Sequence, residues 1–256
     1  MLVWYWKEDE QILNFGEHIV PEILNYFDVP YKKYSERDRT DNSMMLIVGS
    51  ELNDQRLSEW QNEGIAKFYV WGMGYAHGVI IQDTTNIDFL MVRGKLTKNL
   101  YNAKCDIIAD AGFCLPEILP LKREPSERII FAPHHSNRFD IEEKMKLLNA
   151  TDFFDVMFER GLFKEKLQYL IDSKFVFTNS LHIAIACLCY DVPFCVSILP
   201  YSTFNFPLKW YDIFETNIQY CSNIEDGMRW HSDFITRFKK PDAKEIIKTF
   251  PKHLFL

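Results

Sequence analysis

The sequence lacks the short motifs that identify several common enzyme classes. It contains no GxSxG, no GxxxxGK[ST], no HExxH and no CxxC. The segment Asn14-Phe15-Gly16 also lacks the spacing of the dinucleotide-binding fingerprint GxGxxG. These absences remove serine hydrolases, P-loop NTPases and common zinc enzymes from the leading group of functions.

Long apolar runs are missing as well. No stretch of about 18 consecutive apolar residues occurs, so we expect no membrane span. The segment Met1–Lys7 lacks a basic region followed by a long apolar region, so we expect no signal peptide. The 6 cysteines form no CxxC pair, and most lie in apolar segments. Reduced, buried thiols in a cytoplasmic protein are therefore favoured over a zinc site or a disulfide framework.

Positive charge is scarcer than negative charge. The chain has 29 Lys and Arg against 36 Asp and Glu, which gives a formal net charge of -7. This balance argues against a nucleic-acid partner. With 256 residues, 47% of them hydrophobic, the chain can bury the core of one large domain or two small ones.

Short apolar segments alternate with helix-like segments, which predicts an α/β fold with parallel sheets. The predicted strands are 2–6, 44–48, 67–71, 88–92, 106–109, 128–132, 153–157, 175–177 and 194–198. The predicted helices are 14–27, 52–63, 96–101, 141–149, 163–171, 180–190, 224–238 and 241–250. The polar, proline-containing segment 122–127 is the best candidate linker. We therefore predict domains 1–122 and 123–256, the second ending in basic helices, with the two halves facing a cleft.

The second half is organised around residues 175–196, which have the pattern strand, polar turn, helix, tight loop and strand. Thr178, Asn179 and Ser180 are turn and N-cap residues, and a helix of small residues follows them. In such a βαβ unit the helix begins at the carboxyl edge of the sheet, where its N–H groups and dipole favour an anion. His182 lies in the first turn, beside that expected anion site.

Unusual polar residues also follow the other predicted strands. Open α/β sheets bind ligands at this edge, so the coincidence favours an enzyme. The segments are Asn14–His18, Gly72–Gly74, Arg93, Asp110, His134–Asn137 and Asn179–His182.

Each of these signals has a structural alternative. Arg93 at a strand end can bind phosphate or carboxylate bidentately, or it can form a structural ion pair. Gly72-Met73-Gly74 allows close approach of a ligand or makes a tight turn. Adjacent histidines on an extended loop point apart, so His134 and His135 favour proton transfer over a metal site.

The C-terminal part from Arg229 is rich in lysine and arginine, with aromatic residues interleaved. A basic, aromatic edge on an acidic protein could contact an anionic membrane surface. The favoured alternative is a solvated helix face that packs back on the fold. The interleaved apolar residues are Phe234, Phe238, Phe250, Leu254 and Phe255.

Taken together, the loops resemble the polysaccharide pyruvyltransferase family, and within it the short ketal-pyruvate transferases of bacterial exopolysaccharide synthesis. The matching pieces occur in the family's order over most of the chain. They are Asn14-Phe15-Gly16-Glu17-His18, Val70-Trp71-Gly72-Met73-Gly74, Val92-Arg93-Gly94-Lys95-Leu96-Thr97, Asp110-Ala111-Gly112, Pro133-His134, and Ser180-Leu181-His182 with Val192-Pro193.

The chain departs from the family pattern at several positions. Glu17 stands where the family usually has Asp, and Ile183 stands where it usually has Gly. Ala109-Asp110-Ala111 replaces Gly-Asp-Pro. Ser180 replaces an arginine that many members carry, which places more weight on Arg93 and on the helix N-terminus for anion binding.

The resemblance implies a fold like that of GT-B glycosyltransferases, with two Rossmann-like halves. It also implies phosphoenolpyruvate as donor and co-substrate, no other cofactor, no metal, and a sugar diol as acceptor, which becomes a cyclic pyruvate ketal. The acceptor would be a hexose of a bacterial surface polysaccharide or its lipid-linked precursor. The expected location is the cytoplasm, with peripheral contact at the inner face of the plasma membrane as a further expectation.

On this hypothesis the site residues divide into three groups. The first binds the donor, the second supplies the acid and the base, and the third orients the sugar or the histidines. The donor-binding residues are Arg93, Asn179, Ser180 and Leu181. The acid and the base are His182 and His134. The orienting residues are Asn14, Gly16, Glu17, Gly72, Gly74, Asp110 and His135.

Two other functions stay open at this point. One is a GT-B-like glycosyltransferase that uses a nucleotide-sugar donor. The other is a non-catalytic carbohydrate-binding protein, against which the histidines and the arginine at the strand ends argue.

Overall fold

The computed structural model describes residues 1–196, 207–215 and 220–256. The strands are β1 (Leu2–Trp4), β2 (Ile12–Asn14), β3 (Lys32–Lys33), β4 (Ser43–Leu46), β5 (Lys67–Trp71), β6 (Ile87–Val92), β7 (Ile107–Ile108), β8 (Ile129–Ala132), β9 (Asp152–Phe153), β10 (Met157–Glu159), β11 (Phe175–Thr178) and β12 (Phe194–Val196). The helices are α1 (Phe15–Phe27), α2 (Asp54–Asn62), α3 (Lys95–Leu100), α4 (Leu115–Ile118), α5 (Ile141–Leu148), α6 (Phe163–Ile171), α7 (Leu181–Cys189), α8 (Pro207–Phe214), α9 (Ile224–Arg237) and α10 (Ala243–Lys248).

Two parallel sheets form the framework. The first has six strands in the order β3-β1-β4-β5-β6-β7, and the second has four in the order β12-β11-β8-β9. Every pairing within these sheets is parallel. The predicted α/β class with parallel sheets is therefore confirmed. The arrangement as two Rossmann-like, GT-B-like halves and the boundary at residue 122 stay predictions.

The unit of β11, α7 and β12 matches the pattern expected from residues 175–196. All four residues of β11 are buried, and so are eight of the nine residues of α7. Burial on both faces explains why this strand and helix are predominantly apolar and show no alternation. The predicted strand 194–198 is observed over 194–196, and residues 197 and 198 lie outside the described residues.

The prediction of one strand over residues 153–157 is wrong. The chain forms β9 at 152–153, which joins the second sheet, and β10 at 157–159, which pairs antiparallel with β2. The backbone N–H of Phe15 also donates to the carbonyl of Val156 at 2.7 Å. This short ribbon ties the chain before α1 to the chain before α6, and it fixes the entry of α1.

The C-terminal segment returns to the first sheet. The Trp71 Nε1–H at the end of β5 donates to Thr249 Oγ1 at 2.9 Å. Phe250 stacks on Phe27 of α1 with ring centroids 3.9 Å apart. Phe234, Phe250 and Phe255 are all buried. The aromatic residues interleaved with the basic ones therefore belong largely to the core. The basic side chains of the same segment are exposed, namely Arg229, Arg237, Lys239, Lys240, Lys244, Lys248 and Lys252.

All 6 cysteines are buried free thiols, so their predicted burial is confirmed. Over residues 1–196, 207–215 and 220–256, no helix has the length and apolar character needed to span a bilayer.

Candidate active site

A cavity of about 290 Å³ collects side chains from the carboxyl ends of strands in both sheets. β1 and β4 of the first sheet contribute, as do β8 and β11 of the second and β2 of the ribbon. It is lined by Trp4, Trp6, Asn14, Glu17, Gly49, Ser50, Glu51, His77, His134, His135, Ser180, Leu181, His182 and Lys209. Seven of the predicted site residues thus meet in one cavity: Asn14, Glu17, His134, His135, Ser180, Leu181 and His182.

Asn14 connects the start of α1 to the histidine loop. Its Oδ1 accepts the Gly16 N–H at 3.0 Å, which makes Asn14 the N-cap of α1. The amide nitrogen of Asn14 is then directed at His135, 2.9 Å from Nδ1. Because an amide nitrogen only donates, His135 Nδ1 accepts and its proton lies on Nε2. The His135 ring also stacks on Trp6, with centroids 4.9 Å apart.

His134 is held by the chain on both sides. Its backbone N–H donates to Asn179 Oδ1 at 2.5 Å, and its Nδ1 accepts the Ser136 N–H at 3.3 Å. Burial, with Lys209 and the other two site histidines nearby, lowers the pKa of His134 to about 2. His134 is therefore a neutral imidazole that keeps its proton on Nε2.

The expectation that the adjacent histidines point apart is wrong. The rings of His134 and His135 lie together, with centroids 4.0 Å apart. Residues His135–Asn137 form a 3-10 turn instead of an extended loop, and this turn brings the second ring back towards the first. In the part of the chain that the structure describes, no group of three His, Cys, Asp or Glu side chains is arranged to hold a metal ion.

His182 lies in the first turn of α7, between Gly16 and Asp110. A Cβ built on Gly16 would overlap the imidazole, so only glycine leaves room for the ring at this distance. The Nε2 atom of His182 is 3.7 Å from Asp110 Oδ2. Within the described residues, neither atom has a hydrogen-bond partner. The Nε2 atom of His182 thus faces a carboxyl group that is fully buried.

Asp110 is fixed by its own backbone segment. Its Oδ1 accepts the Gly112 N–H at 2.8 Å and caps the 3-10 helix Ala111–Cys114. This bond leaves Oδ2 directed at His182. Asp110 does not line the cavity itself, and it acts on the site from behind the imidazole.

The turn before α7 is held by the Thr178 side chain, which bonds two backbone groups. Thr178 Oγ1 donates to the Ala132 carbonyl at 2.7 Å and accepts the Ser180 N–H at 2.9 Å. Ser180 is the N-cap of α7, but its hydroxyl makes no capping bond. The hydroxyl and the first N–H groups of α7 are therefore available at the cavity, where the helix dipole favours an anion.

Glu17 brings a second titratable group into the cavity. Its Oε2 accepts the backbone N–H of Trp6 at 3.0 Å. Burial is the main cause that raises the pKa of Glu17 to about 8, with smaller contributions from the Glu51 and Asp110 carboxylates and against the effect of the Trp6 backbone N–H. Glu17 therefore holds its proton near neutral pH, on Oε1.

This proton gives a first testable prediction. The unfolded chain releases the Glu17 proton near pH 4.5, the ordinary value, whereas the folded protein keeps it until about pH 8. The stability contributed by the bound proton is complete below pH 4.5 and is lost as the pH rises to 8. We expect the free energy of unfolding of Glu17→Gln, relative to that of wild type, to increase by about 3–4 kcal/mol between pH 5 and pH 8. Urea unfolding at pH 5, 6.5 and 8 measures this difference.

The exposed Glu165→Gln on α6 is the matched control for that experiment. Its free energy of unfolding relative to wild type is expected to stay constant over the same pH range. A Glu17→Gln difference that also stays constant would contradict the raised pKa.

Lys209 supplies the positive charge of the cavity. It lies on α8, and it is only 7% exposed. Burial lowers the pKa of its ammonium to about 8, and the nearby Arg93 contributes in the same direction. The charge is therefore present at neutral pH and disappears as the pH rises above about 8. Because Lys209 and the first residues of α7 line the same cavity, the cavity is suited to an anion.

Arg93 lies outside this cavity, although the sequence suggests it as a donor ligand. Its side chain is 1% exposed and forms an ion pair with Asp212 of α8 through Nε, at 3.0 Å. Its other nitrogens donate to Gly49 O at 3.2 Å, Ser50 Oγ at 2.6 Å and Tyr75 O. Arg93 thus holds the Gly49-Ser50 wall of the cavity and α8 in place.

Asp212 completes this buried cluster. Its Oδ1 accepts the Thr97 N–H at 2.8 Å, and its Oδ2 accepts the Thr97 hydroxyl at 2.6 Å. The carboxylate therefore caps the N-terminus of α3, whose own N-cap residue, Gly94, has no side chain. Lys209 and Asp212 are three residues apart on α8. The contact that docks α8 on the first sheet therefore also places Lys209 at the cavity.

The other predicted residues support the site from outside the cavity. Gly74 packs directly on the Arg93 side chain. Gly72 lies between the Ile47 carbonyl and Ala111, and its φ is +107°. Asn179 is buried, and its Oδ1 accepts the backbone N–H of His134. Sequence reasoning missed Lys209, whose only local signal is its place in the amphipathic segment 207–214. It also missed the cavity residues Trp4, Trp6, Gly49, Ser50 and Glu51.

No protein-family model matches this chain, and no curated protein matches it. Among solved structures, an uncharacterized protein from Klebsiella pneumoniae subsp. pneumoniae NTUH-K2044 is 14% identical, with 81% of this chain and 88% of that chain covered and a TM-score of 0.48. The wall teichoic acid polymerase TagF is 10% identical, with 99% of this chain and 87% of that chain covered and a TM-score of 0.46. Likeness at this level assigns no function.

Proposed function

We propose that this protein transfers pyruvate from phosphoenolpyruvate to two hydroxyls of a hexose and forms a cyclic ketal. The observation that carries the proposal is the content of one cavity. His182 backed by Asp110, the ammonium of Lys209 and the protonated carboxyl of Glu17 all face the same space. The sequence segments that resemble the pyruvyltransferase family contribute most of these groups, and that resemblance supplies the choice of donor and acceptor.

The donor carries a phosphate and a carboxylate, which need positive partners. Lys209 and the N–H groups at the start of α7 would bind one anionic group, with the Ser180 hydroxyl as an additional donor. Arg93 takes no direct part in this scheme, because its guanidinium is occupied by Asp212 and by backbone carbonyls. The donor-binding role suggested for Arg93 by sequence therefore passes to Lys209.

The methylene carbon of the donor must gain a proton before the sugar attacks. Glu17 is the group best suited to give it, because it is protonated at neutral pH and its Oε2 is already engaged by Trp6. Protonation converts the methylene to a methyl group and makes C2 electrophilic.

A sugar hydroxyl must then lose its proton as it attacks C2. His182 is the proposed base, since it lines the cavity and the Asp110 carboxyl group lies 3.7 Å behind its Nε2. His134 stays neutral, so it is assigned the role of a hydrogen-bond donor through Nε2 instead of acid or base. The second hydroxyl displaces the phosphate, which leaves with the second hydroxyl proton, and the ring closes. The proton held by His182 then returns to Glu17 through solvent, which restores both groups.

The acceptor would lie beside Asn14, His135 and Trp6, which line the same cavity and contact one another. Its proposed identity is a hexose of a bacterial surface polysaccharide or its lipid-linked precursor. The reaction is proposed to occur in the cytoplasm, with contact at the inner membrane face through the exposed basic residues of α9 and α10.

The proposal is tested by incubating the protein with phosphoenolpyruvate and a panel of hexose acceptors. Release of inorganic phosphate with formation of a methyl-bearing ketal, detected by NMR and mass spectrometry, is the expected result. Release of a nucleotide from a sugar nucleotide, without use of phosphoenolpyruvate, would instead support a glycosyltransferase. Saturable sugar binding with no turnover of either donor would support a carbohydrate-binding protein.

A second prediction concerns Lys209. Lys209→Met keeps the length of the side chain but removes its charge, so we expect the KM for phosphoenolpyruvate to rise about 10- to 100-fold, as for the loss of a hydrogen bond to a charged group. In the wild-type protein, the affinity for the donor should also fall as the pH rises above about 8, where Lys209 loses its proton.

Lys248→Met, which removes an exposed lysine on α10, is the control for that prediction. It should leave the KM and its pH dependence unchanged. An unchanged KM in Lys209→Met would show that the donor is bound elsewhere.

A further inference from the structure

A second cavity lies on the other side of the Arg93–Asp212 ion pair. Its volume is about 430 Å³, and α3, β7, α8 and α9 contribute to its lining. The cavity that contains His134, His135 and His182 is called the histidine cavity below. Among the residues that the structure describes, none lines both cavities. No step of the proposed reaction uses this space, and its size lies in the range of ligand pockets.

Four phenylalanines form the floor of this second cavity. Phe238 is central, with ring centroids 5.1 Å from Phe234, 5.5 Å from Phe214 and 6.2 Å from Phe113. The rings of Phe113, Phe214 and Phe234 are buried, and Phe238 is half-buried. The floor is therefore a contiguous apolar surface that already has a fixed shape, and it suits a ligand with an apolar body.

The rim of the cavity is basic. Lys95 is neutralised by Glu215 at 2.7 Å, and the buried charge of Asp212 is paired with Arg93. Arg237 and Lys239 form no ion pair with any carboxylate in the described part of the chain, and Arg237 donates only to a backbone carbonyl of its own helix. Two exposed cations at the mouth of an aromatic cavity favour an anionic group there.

We propose that this cavity binds an anion with an apolar body, such as the phosphate monoester of an alkyl chain. The chain would lie on the four phenylalanines, and the phosphate would bind Arg237 and Lys239 at the mouth. This assignment does not depend on the proposed pyruvyl transfer.

The test is calorimetric titration of the whole protein with octyl phosphate, below its micelle concentration and without any other substrate. The wild-type protein is expected to bind it at least about 10-fold more tightly than inorganic phosphate or octanol, since each of these keeps only half of the recognised chemistry. Arg237→Ala with Lys239→Ala should weaken binding by about 10-fold or more.

Two further variants define the site. Arg229→Ala with Lys248→Ala removes two exposed cations from α9 and α10 that do not line the cavity, and it should bind octyl phosphate like wild type. His182→Ala should also bind it like wild type, because that residue belongs to the other cavity. Undiminished binding by the Arg237 and Lys239 variant, equal binding of inorganic phosphate, or weakened binding by His182→Ala would each overturn the proposal. None of these outcomes depends on whether phosphoenolpyruvate is a substrate.

Discussion

Asp212→Ala is expected to lower the free energy of unfolding by about 3–5 kcal/mol, the cost of leaving one partner of a buried ion pair alone. Arg93 and Asp212 have side chains that are 1% and 0% exposed, so water cannot replace the lost carboxylate. The change also removes the two bonds that Thr97 gives to Asp212. Urea unfolding, followed by circular dichroism, measures the loss.

The same variant should impair the histidine cavity although Asp212 does not line it. Asp212 docks α8 on α3, and α8 carries Lys209. Where the variant remains folded, we expect the affinity for phosphoenolpyruvate, or for inorganic phosphate in competition with it, to fall as much as in Lys209→Met. If folded Asp212→Ala bound the donor as tightly as wild type, the ion pair would not be needed to position Lys209 at the cavity.

The matched control is Glu215→Ala. It breaks the pair between Lys95 and Glu215, which joins the same two segments at 2.7 Å, but the two side chains are 61% and 50% exposed. An exposed pair of this kind contributes less than about 1 kcal/mol. Equal losses of stability in the two variants would contradict the larger contribution expected from the buried Arg93–Asp212 pair.

The parts of the fold that sequence predicts well are those that local chemistry determines. The segment from Phe175 to Val196 combines a short apolar strand, turn residues and a small-residue helix, and each of these features is read within a few positions. The β2–β10 ribbon was missed because each strand has only three residues. Its partners, such as Leu13 and Phe158, are far apart in sequence, so no local pattern marks the pairing.

The site shows the same division. Polar residues at strand ends, such as Asn14 and His182, were predicted to meet, because parallel strands bring their carboxyl ends to one edge. Arg93 fits the same pattern, but its partner Asp212 lies 119 residues away, and only the tertiary structure reveals it. Lys209 was missed for the same reason, since a lysine on an amphipathic helix looks like a solvated one until the docking of that helix is known.

Gly16→Ala is expected to reduce the proposed activity by about 100-fold or more, because a 1 Å misplacement of a catalytic group can cost that much. The new methyl group would occupy space that the His182 ring now fills, and the ring would have to move away from Asp110 or from the cavity. Overpacking of this kind also costs about 1–3 kcal/mol of stability. Turnover, urea unfolding and the NMR signals of the His182 ring are the measurements.

A double-mutant cycle with His182→Ala separates the overlap from any intrinsic effect of alanine at position 16. Alanine is a better helix residue than glycine by about 0.5–1 kcal/mol, so Gly16→Ala should stabilise the protein once the imidazole has been removed. The sign of its effect on the free energy of unfolding therefore reverses between the two backgrounds. The double variant should be no less active than His182→Ala alone, since the ring that holds the three atoms nearest to the new methyl group is then absent. A destabilisation of the same size in both backgrounds would show that Gly16 is required by the backbone of α1, and that the position of His182 is set elsewhere.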